Sequence, residues 1–436
     1  MYPMTPPPPA FGSAARAEKR GFQPRELLSV EDTGLNPQFL ADLALKTVYF
    51  SSTVTGHDLA QKLRLPYVGV VERILDALKR DMYIEVRSGN SLTSASYSFA
   101  VTAKGAARSV ELVERSSYIG PAPVTLTEYW EAVKAQTIQD VSVTRKAIRE
   151  IFQHLVISER FLNQLGPAIN SAKSIFLFGP PGNGKTTLAE TASKLLGGAV
   201  YVPHALEYDG QVIKVYDSIF HAALDNDDQK VDTTDRRWVR SRRPVVIVGG
   251  ELTLESLDLV YSEGSKYYEA PFQLKANCGM FLIDDFGRQQ VSPRDLLNRW
   301  IVPLEKHEDY LNLRSGQEIT VPFDQLIIFS TNLEPASLVD EAFLRRIRYK
   351  IEVPNPSIEE YEEIFRRICD ARGVPYDYAA VELVLDYYDR RGIEPRCVHP
   401  RDLVEQIIDI AEYLEQPATL SAELLEAACD SYFVRL

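Results

Sequence analysis

The residues of this chain best suited to chemistry lie together in one short glycine-rich segment. It reads Gly179-Pro180-Pro181-Gly182-Asn183-Gly184-Lys185-Thr186, and Thr187 follows in the same predicted helical turn. Glycines at this spacing let backbone N–H groups turn inward around phosphate oxygens, and a helix that starts here adds its positive N-terminal dipole. The lysine can reach the β- and γ-phosphates, and the Thr186 hydroxyl can hold Mg²⁺. The segment therefore predicts a binding site for a nucleoside triphosphate.

The sequence on either side of this segment supplies the elements that must position it. Residues 174–178 are an apolar run typical of a buried strand, and residues 187–190 favour a helix. The alternative is a turn rich in glycine and proline that matches by accident. The order of strand, loop and helix favours the phosphate-binding interpretation.

Two further apolar runs end in polar side chains. Residues 280–283 are followed by Asp284 and Asp285, and residues 326–331 by Asn332. In a phosphoryl-transfer site, Asp284 would hold Mg²⁺, usually through water, and Asp285 would orient the attacking water. Asn332 would position the same water near the γ-phosphate. The alternatives are a structural turn for the two acids and a strand-end cap for the asparagine.

Taken together, these motifs resemble those of an AAA+ ATPase over roughly residues 130–436. The resemblance implies an arginine finger one short helix after Asn332, where Arg345 and Arg346 lie. One of them, with Arg346 preferred, would enter the neighbouring subunit's site and balance the charge on the transferring phosphoryl group. The other would make a surface ion pair. The resemblance also implies that Arg401 contacts the γ-phosphate from a C-terminal lid, with Arg396 as the weaker candidate.

One catalytic position departs from the family pattern. Most AAA+ proteins have glutamate where Asp285 stands, and the aspartate side chain is one methylene shorter. A general base must come within hydrogen-bond reach of the proton that it removes. Either the backbone lies closer to the nucleotide or hydrolysis is slow, so we expect slow but real ATP turnover.

Length and composition limit the class of protein. A chain of 436 residues with 45% apolar residues should form about two to four domains. The net charge of −13 argues against a protein that coats nucleic acid non-specifically, because Lys and Arg supply most of that affinity. The four cysteines have neither disulfide-framework nor zinc spacing. With no signal peptide and no run of ~20 apolar residues, we expect a cytoplasmic protein without a membrane span.

The sequence predicts an α/β fold, in which a P-loop NTPase parallel sheet is sandwiched by helices between an N-terminal winged-helix domain and a C-terminal helical lid. The predicted regions are a disordered proline-rich tail at 1–35, a winged helix-turn-helix-like domain at 36–110, a helical linker at 111–170, the AAA+ core at 171–353 and the lid at 354–436. Thr125 and Glu128 form a candidate capping box in the linker.

The winged domain is predicted from three helical patterns, followed by two strand-like runs that a polar loop at 88–96 joins. Residues 36–110 carry nine basic and six acidic side chains, a net charge of +3. The presumed recognition helix begins with apolar residues at 66–71, where base reading requires polar donors. Its basic residues Arg73, Lys79 and Arg80 come later. Protein docking or a structural role is therefore favoured, and DNA contact stays open.

Two segments of the predicted core are longer than a plain nucleotide-binding domain needs. Residues 310–323 are predicted to form two strands around a Ser-Gly turn, which resembles the pre-sensor 1 insertion of MoxR-like ATPases and enhancer-binding activators. The segment 208–273 contains a candidate core strand at 245–248. It also contains an acidic run and an arginine cluster, which either pair in water or contact a partner (Asp225, Asp227, Asp228; Arg236, Arg237, Arg240, Arg242, Arg243).

Three functional hypotheses follow from these motifs. The first is a homo-oligomeric ring that uses ATP and Mg²⁺ to remodel a protein client, which the N-terminal domain selects. The second is a DNA-linked regulator or loader, in which ATP switches the assembly state. The third is a nucleotide-dependent scaffold with negligible turnover.

Overall fold

The computed structural model describes residues 21–88, 94–224, 234–338 and 344–433. Five predicted features lie wholly or partly outside these ranges. They are the first twenty residues of the tail, most of the predicted wing loop, the acidic run at 225–228, residues 340–343 of the predicted finger segment, and the last three residues of the predicted lid.

The N-terminal region consists of helices with a small antiparallel sheet. Its elements are α1 (Pro37–Ser51), β1 (Val54–Thr55), α2 (Gly56–Leu63), α3 (Glu72–Arg80), β2 (Ile84–Ser88), β3 (Ser98–Val101) and α4 (Ala103–Arg115). The strands pair in the order β1-β3-β2. Asn36 and Thr55 cap the first two helices by accepting from Gln38 N–H and Asp58 N–H, respectively. The apolar faces of these helices and the sheet enclose one core.

The segment that leads into α1 is packed against this core. Leu27, Val30 and Leu35 are buried among its residues, and the Leu28 carbonyl lies so close to Gly69 that a Cβ there would come within 2.2 Å of it. The prediction of a disordered tail is therefore wrong for residues 21–35. Most residues of the segment are polar, but its few apolar side chains pack against a surface formed by residues far away in the chain.

The linker and the ATPase-like region follow. Their elements are β4 (Val124–Thr125), α5 (Leu126–Ala135), α6 (Arg145–Phe152), α7 (Glu159–Asn170), β5 (Ile175–Phe178), α8 (Lys185–Ser193), β6 (Ala199–Pro203), β7 (Ala205–Tyr208), β8 (Gln211–Lys214), β9 (Trp238–Arg242), β10 (Val245–Val248), β11 (Val260–Tyr261), β12 (Tyr268–Glu269), α9 (Phe272–Lys275), β13 (Met280–Ile283), α10 (Pro293–Lys306), β14 (Glu308–Asn312), β15 (Glu318–Pro322), β16 (Leu326–Thr331), α11 (Pro335–Leu338) and β17 (Tyr349–Glu352).

A five-stranded parallel sheet in the order β10-β13-β16-β5-β17 forms the centre of this region. Its strands are apolar on both faces. Leu177 and Leu282 pack with α6, α7 and α8 on one side, and Phe176 and Phe281 pack with α10 on the other. Both faces are covered, which explains why these strands are continuous apolar runs in the sequence. The predicted α/β fold, with a sheet between helical layers, is confirmed.

A second five-stranded sheet, made of shorter strands, has the order β11-β12-β8-β7-β4. The predicted pair of strands near residues 310–323 is the antiparallel hairpin β14–β15, and the predicted strand at 245–248 is β10. The hairpin is held from two sides. The indole N–H of Trp130 donates to the Thr320 carbonyl at 3.2 Å, and Asn312 N–H donates to the Asp258 carboxylate at 3.0 Å.

The C-terminal region is helical. It contains α12 (Ile358–Arg372), α13 (Tyr378–Arg391), α14 (His399–Tyr413) and α15 (Ala422–Tyr432). These helices enclose a separate core, in which the hydroxyls of Tyr361 and Tyr388 lie 2.9 Å apart. Within the described ranges, no helix combines the length and the apolarity that crossing a membrane requires.

Arg237, one residue of the predicted arginine cluster, is fully buried. Its guanidinium contacts the carboxylates of Asp235 at 2.7 Å and Glu128 at 3.2 Å, and it also donates to the carbonyls of Thr33 and Pro123. The sequence predicted that the arginines of this cluster either pair in water or contact a partner. For Arg237 both predictions are wrong, because its side chain is buried inside the chain. In the predicted capping box, the Thr125 side chain caps α5 by accepting from Glu128 N–H. The Glu128 carboxylate accepts from Arg237.

Replacing Arg237 with methionine should destabilise the protein by about 3–5 kcal/mol, because the buried Asp235 would lose its counter-charge. The measurement is urea unfolding of the purified full-length protein at neutral pH. Arg236→Met is the matched control, since Arg236 is exposed. The additional change Asp235→Asn should restore part of the loss. Equal unfolding midpoints for the Arg236 and Arg237 variants would contradict the prediction.

Candidate active site

The carboxyl ends of β5, β13 and β16 meet at one edge of the central sheet. The glycine-rich loop follows β5, Asp284 and Asp285 follow β13, and Asn332 follows β16. Gly182 and Gly184 have φ values of 82° and 75°, which residues with a Cβ rarely adopt. The loop therefore has its shape because of its glycines, and the parallel strands bring the three motifs together.

Lys185 lies at the centre of the group. Its ammonium donates to the carbonyls of Gly179 and Pro180 at 3.0 and 2.9 Å, and to Asn332 Oδ1 at 2.5 Å. Burial lowers the pKa of Lys185, and the nearby carboxylates of Asp284 and Asp285 oppose that shift. The lysine is thus held between the loop and the end of β16.

The remaining side chains of the group are joined in pairs. Thr186 Oγ1 donates to Asp284 Oδ2 at 2.7 Å, and Asn332 Nδ2 donates to Asp285 Oδ1 at 3.2 Å. Asp285 has a φ of 48°, a left-handed conformation that is uncommon for a residue other than glycine. The five side chains therefore converge on one place, with Thr186 beside the first carboxylate and Asn332 beside the second.

These residues face a cavity of about 550 Å³, a size common for small-molecule sites. Core and lid both contribute to its walls, which include residues 154–158, Phe161, residues 181–188, Asp284, Asp285, Asn332, residues 353–356, Ile364, Arg367, Ile368, Cys397, Val398 and Arg401. Gly179 and Pro180 are not among the lining residues. Their carbonyls accept from the Lys185 ammonium.

Two lid arginines lie near the loop. Arg401 lines the cavity, while its guanidinium also donates to Asp402 Oδ1 at 2.9 and 3.0 Å. Arg396 lies beside the loop, since a Cβ at Gly182 would come within 3.6 Å of its Cδ. Burial lowers the pKa of His399 to about 4, so its neutral ring can accept from Arg396 N–H at 3.3 Å.

The two candidate finger residues lie away from this cavity. Neither Arg345 nor Arg346 lines it. Arg346 Nε donates to Glu305 Oε1 of α10 at 2.8 Å. The structure therefore does not bring either arginine to the nucleotide site of its own chain.

Sequence reasoning missed one wall of the cavity. Residues 154–158, Ile364 and Ile368 contribute mainly apolar surface, and Arg367 donates to the Gln153 carbonyl at 3.1 Å. No motif marks these residues, because only the packing of the lid against the segment between α6 and α7 brings them together. A purine base would find its apolar environment here.

The site suits a nucleoside triphosphate with Mg²⁺. No described side chain caps the start of α8, and the first N–H groups of a helix have no acceptor within it. Phosphate oxygens would satisfy them. Among the described residues no cluster of three or more His, Cys, Asp or Glu could hold a metal. A Mg²⁺ ion held by Thr186 and Asp284 would therefore take its other ligands from phosphate and water.

The central parallel sheet and the loop together define the fold. A glycine-rich loop between β5 and α8, at the carboxyl end of a parallel strand, is the arrangement of a P-loop nucleotide-binding fold. A family model described as "Domain of unknown function (DUF8689)" matches residues 357–431, which are the helices of the lid. A search of the curated proteins finds no significant match.

Solved structures that this chain partly resembles include those of two proteins. NtrX from Brucella abortus is 18% identical with a TM-score of 0.40, over 67% of this chain and 60% of that chain. It has also been solved in complex with ADP. The RuvB Holliday junction branch migration motor of Thermotoga maritima is 14% identical with a TM-score of 0.34, over 68% of this chain and 74% of that chain. The chain thus spans about 60% of the NtrX structure's length.

Proposed function

We propose that this protein binds ATP with Mg²⁺ and hydrolyses it to ADP and phosphate. One observation carries the proposal: Lys185, Thr186, Asp284, Asp285 and Asn332 converge on a single cavity beside an uncapped helix start. A phosphate-binding loop, a hydroxyl beside one carboxylate and an amide beside a second are groups that phosphoryl transfer from a nucleoside triphosphate with Mg²⁺ uses.

Each of these residues has a role in that reaction. The loop N–H groups and Lys185 bind the phosphates, and Thr186 and Asp284 would hold a Mg²⁺ ion, which would supply positive charge to the phosphates. Asp285 accepts the proton of the attacking water, and Asn332 keeps both that carboxylate and the water in place. Arg401 approaches the γ-phosphate from the lid.

The site is completed in a homo-oligomeric ring, where Arg345 or Arg346 of one subunit reaches the nucleotide of the next. Support comes from the position of both arginines outside the cavity of their own chain. A cation is needed there because negative charge spreads over the transferring phosphoryl group in the transition state. Assembly would therefore control hydrolysis.

Replacing the finger arginine should lower ATP hydrolysis by at least about tenfold without abolishing ATP binding. Arg345→Ala and Arg346→Ala are compared by phosphate release at saturating ATP. Arg346→Ala also removes the contact with Glu305, so Glu305→Gln is its matched control. An inactive arginine variant mixed with Asp285→Asn should regain activity at mixed interfaces, because each subunit supplies what its neighbour lacks. Mixtures without any regain would exclude a shared site.

The ring acts on a protein client in the cytoplasm, and the winged-helix-like domain selects that client. The basic side chains of α3 support this choice over DNA. Arg73, Lys79 and Arg80 lie within 4.0 Å of carboxylates, at 3.7, 2.9 and 3.8 Å, respectively, and would have to exchange these partners for phosphate. The β14–β15 hairpin supports the pre-sensor 1 branch of the family.

DNA binding separates this function from its alternatives. Binding of the full-length protein to duplex DNA that weakens steeply with salt would favour the DNA-linked regulator or loader. ATP-dependent assembly without any phosphate release would favour the scaffold. Phosphate release that a protein from the host stimulates would favour the remodeller.

A further inference from the structure

The side chain of Asn183 makes its hydrogen bonds to residues outside the glycine-rich loop. It is only 4% exposed, and both of its polar ends have partners. Nδ2 donates to the Pro354 carbonyl at 3.2 Å and to Asn355 Oδ1 at 2.8 Å, while Oδ1 accepts from Cys397 N–H at 3.2 Å. One side chain therefore joins the loop to residues 354–355 after β17 and to the segment that leads into α14.

Two neighbouring contacts strengthen the same connection. Val398 N–H donates to the Gly182 carbonyl at 2.9 Å, and a Cβ at Gly182 would lie 2.8 Å from Val398 Cγ1. Asn355 Nδ2 donates onward to Glu394 Oε2 at 2.7 Å. The loop is thus linked to the lid directly through residues 397–398, and to Glu394 through Asn355.

The lid end of this connection is close in sequence to Arg396 and to Arg401, of which Arg401 lines the cavity. Arg401 lies in the first turn of α14, and Arg396 lies one residue before Cys397. Because a helix moves as a rigid unit, the contacts of Asn183 and Gly182 determine where Arg401 can reach. A shift of the loop around bound phosphates would be transmitted to the same residues.

We infer that Asn183 is a positioning residue, which couples the phosphate-binding loop to the lid and so sets the place of Arg401 during hydrolysis. The inference rests on the proposed ATPase function. It changes the role predicted for Asn183. The backbone would bind the phosphates, and the side chain would hold the lid in position.

Kinetics provide the first test. Asn183→Ala in the full-length protein should lower kcat between about tenfold and a hundredfold, because small displacements of groups at a reacting centre are that costly. The Kd for ATP should change little, since the loop N–H groups and Lys185 remain. Glu394→Ala should reduce kcat in the same direction and less strongly, while Glu394→Gln, which keeps an acceptor for Asn355 Nδ2, should match the wild type. Adding Asn355→Ala to Asn183→Ala should cost less than the two single effects combined.

Amide hydrogen exchange provides a second test. A merely structural role of Asn183 would not change how a bound nucleotide protects the lid from exchange. In the wild type, a non-hydrolysable ATP analogue should protect both the loop and the segment from 393 to 402. In Asn183→Ala, protection of the loop should remain and protection of 393–402 should be lost. If the variant keeps the wild-type kcat and the wild-type lid protection, the coupling role is refuted while the ATPase function stands. A wild-type protein that neither binds nor hydrolyses ATP would refute the function itself.

Discussion

Replacing Lys185 with alanine should abolish ATP hydrolysis, with kcat/KM at least about a thousandfold below that of the wild type. Among the described residues that line the cavity, Lys185 is the only lysine, and its ammonium bridges the loop carbonyls and Asn332. With phosphates bound, it would move its hydrogen bonds to their oxygens. Its loss removes both affinity and charge stabilisation in the transition state.

Phosphate release and nucleotide binding are measured together for this variant. Lys194→Ala is the matched control, because Lys194 is an exposed lysine just beyond the same helix. The control should behave as the wild type. Full activity in the Lys185 variant would show that hydrolysis takes place elsewhere or is due to a contaminant, and the proposed site would have to be abandoned.

Replacing Asp285 with asparagine should lower kcat at least about a hundredfold with little change in the Kd for ATP, because a positioned general base contributes that much or more. The carboxylate is within hydrogen-bond distance of Asn332, so the asparagine would keep the shape and lose the basicity. Asp284→Asn should behave differently, raising the Mg²⁺ concentration that half-maximal activity requires.

The length of the side chain at this position is tested by Asp285→Glu. Slow turnover in the wild type is expected from the short aspartate, and the longer glutamate should keep or raise kcat. Asp285 has a left-handed backbone conformation, which Asp and Asn adopt more readily than Glu. Equal rates for the wild type and Asp285→Asn would remove this residue from the mechanism.

Local patterns in the sequence predicted the centre of the molecule. The phosphate-binding loop needs positive φ at Gly182 and Gly184, a property of the glycines themselves. The strands at 280–283 and 326–331 are buried on both faces, so each is a short apolar run. Such a run can be recognised from its own few consecutive residues. Because parallel strands end at one edge, the acids and Asn332 could be expected together.

Only the tertiary structure decided the features that depend on residues far apart in the chain. The burial of Arg237 depends on carbonyls more than a hundred residues away in the chain. The packing of residues 21–35 depends on a core that α1 to α4 form. Asn183 belongs to a motif that predicts phosphate binding, yet its side chain serves residues 354–355 and 397. The sequence by itself determined the loop, the strands and their chemistry, since these are encoded in short windows. The lid contacts, the apolar wall and the buried ion pairs arise only when distant segments pack, because their free energy comes from neighbours that no local pattern contains.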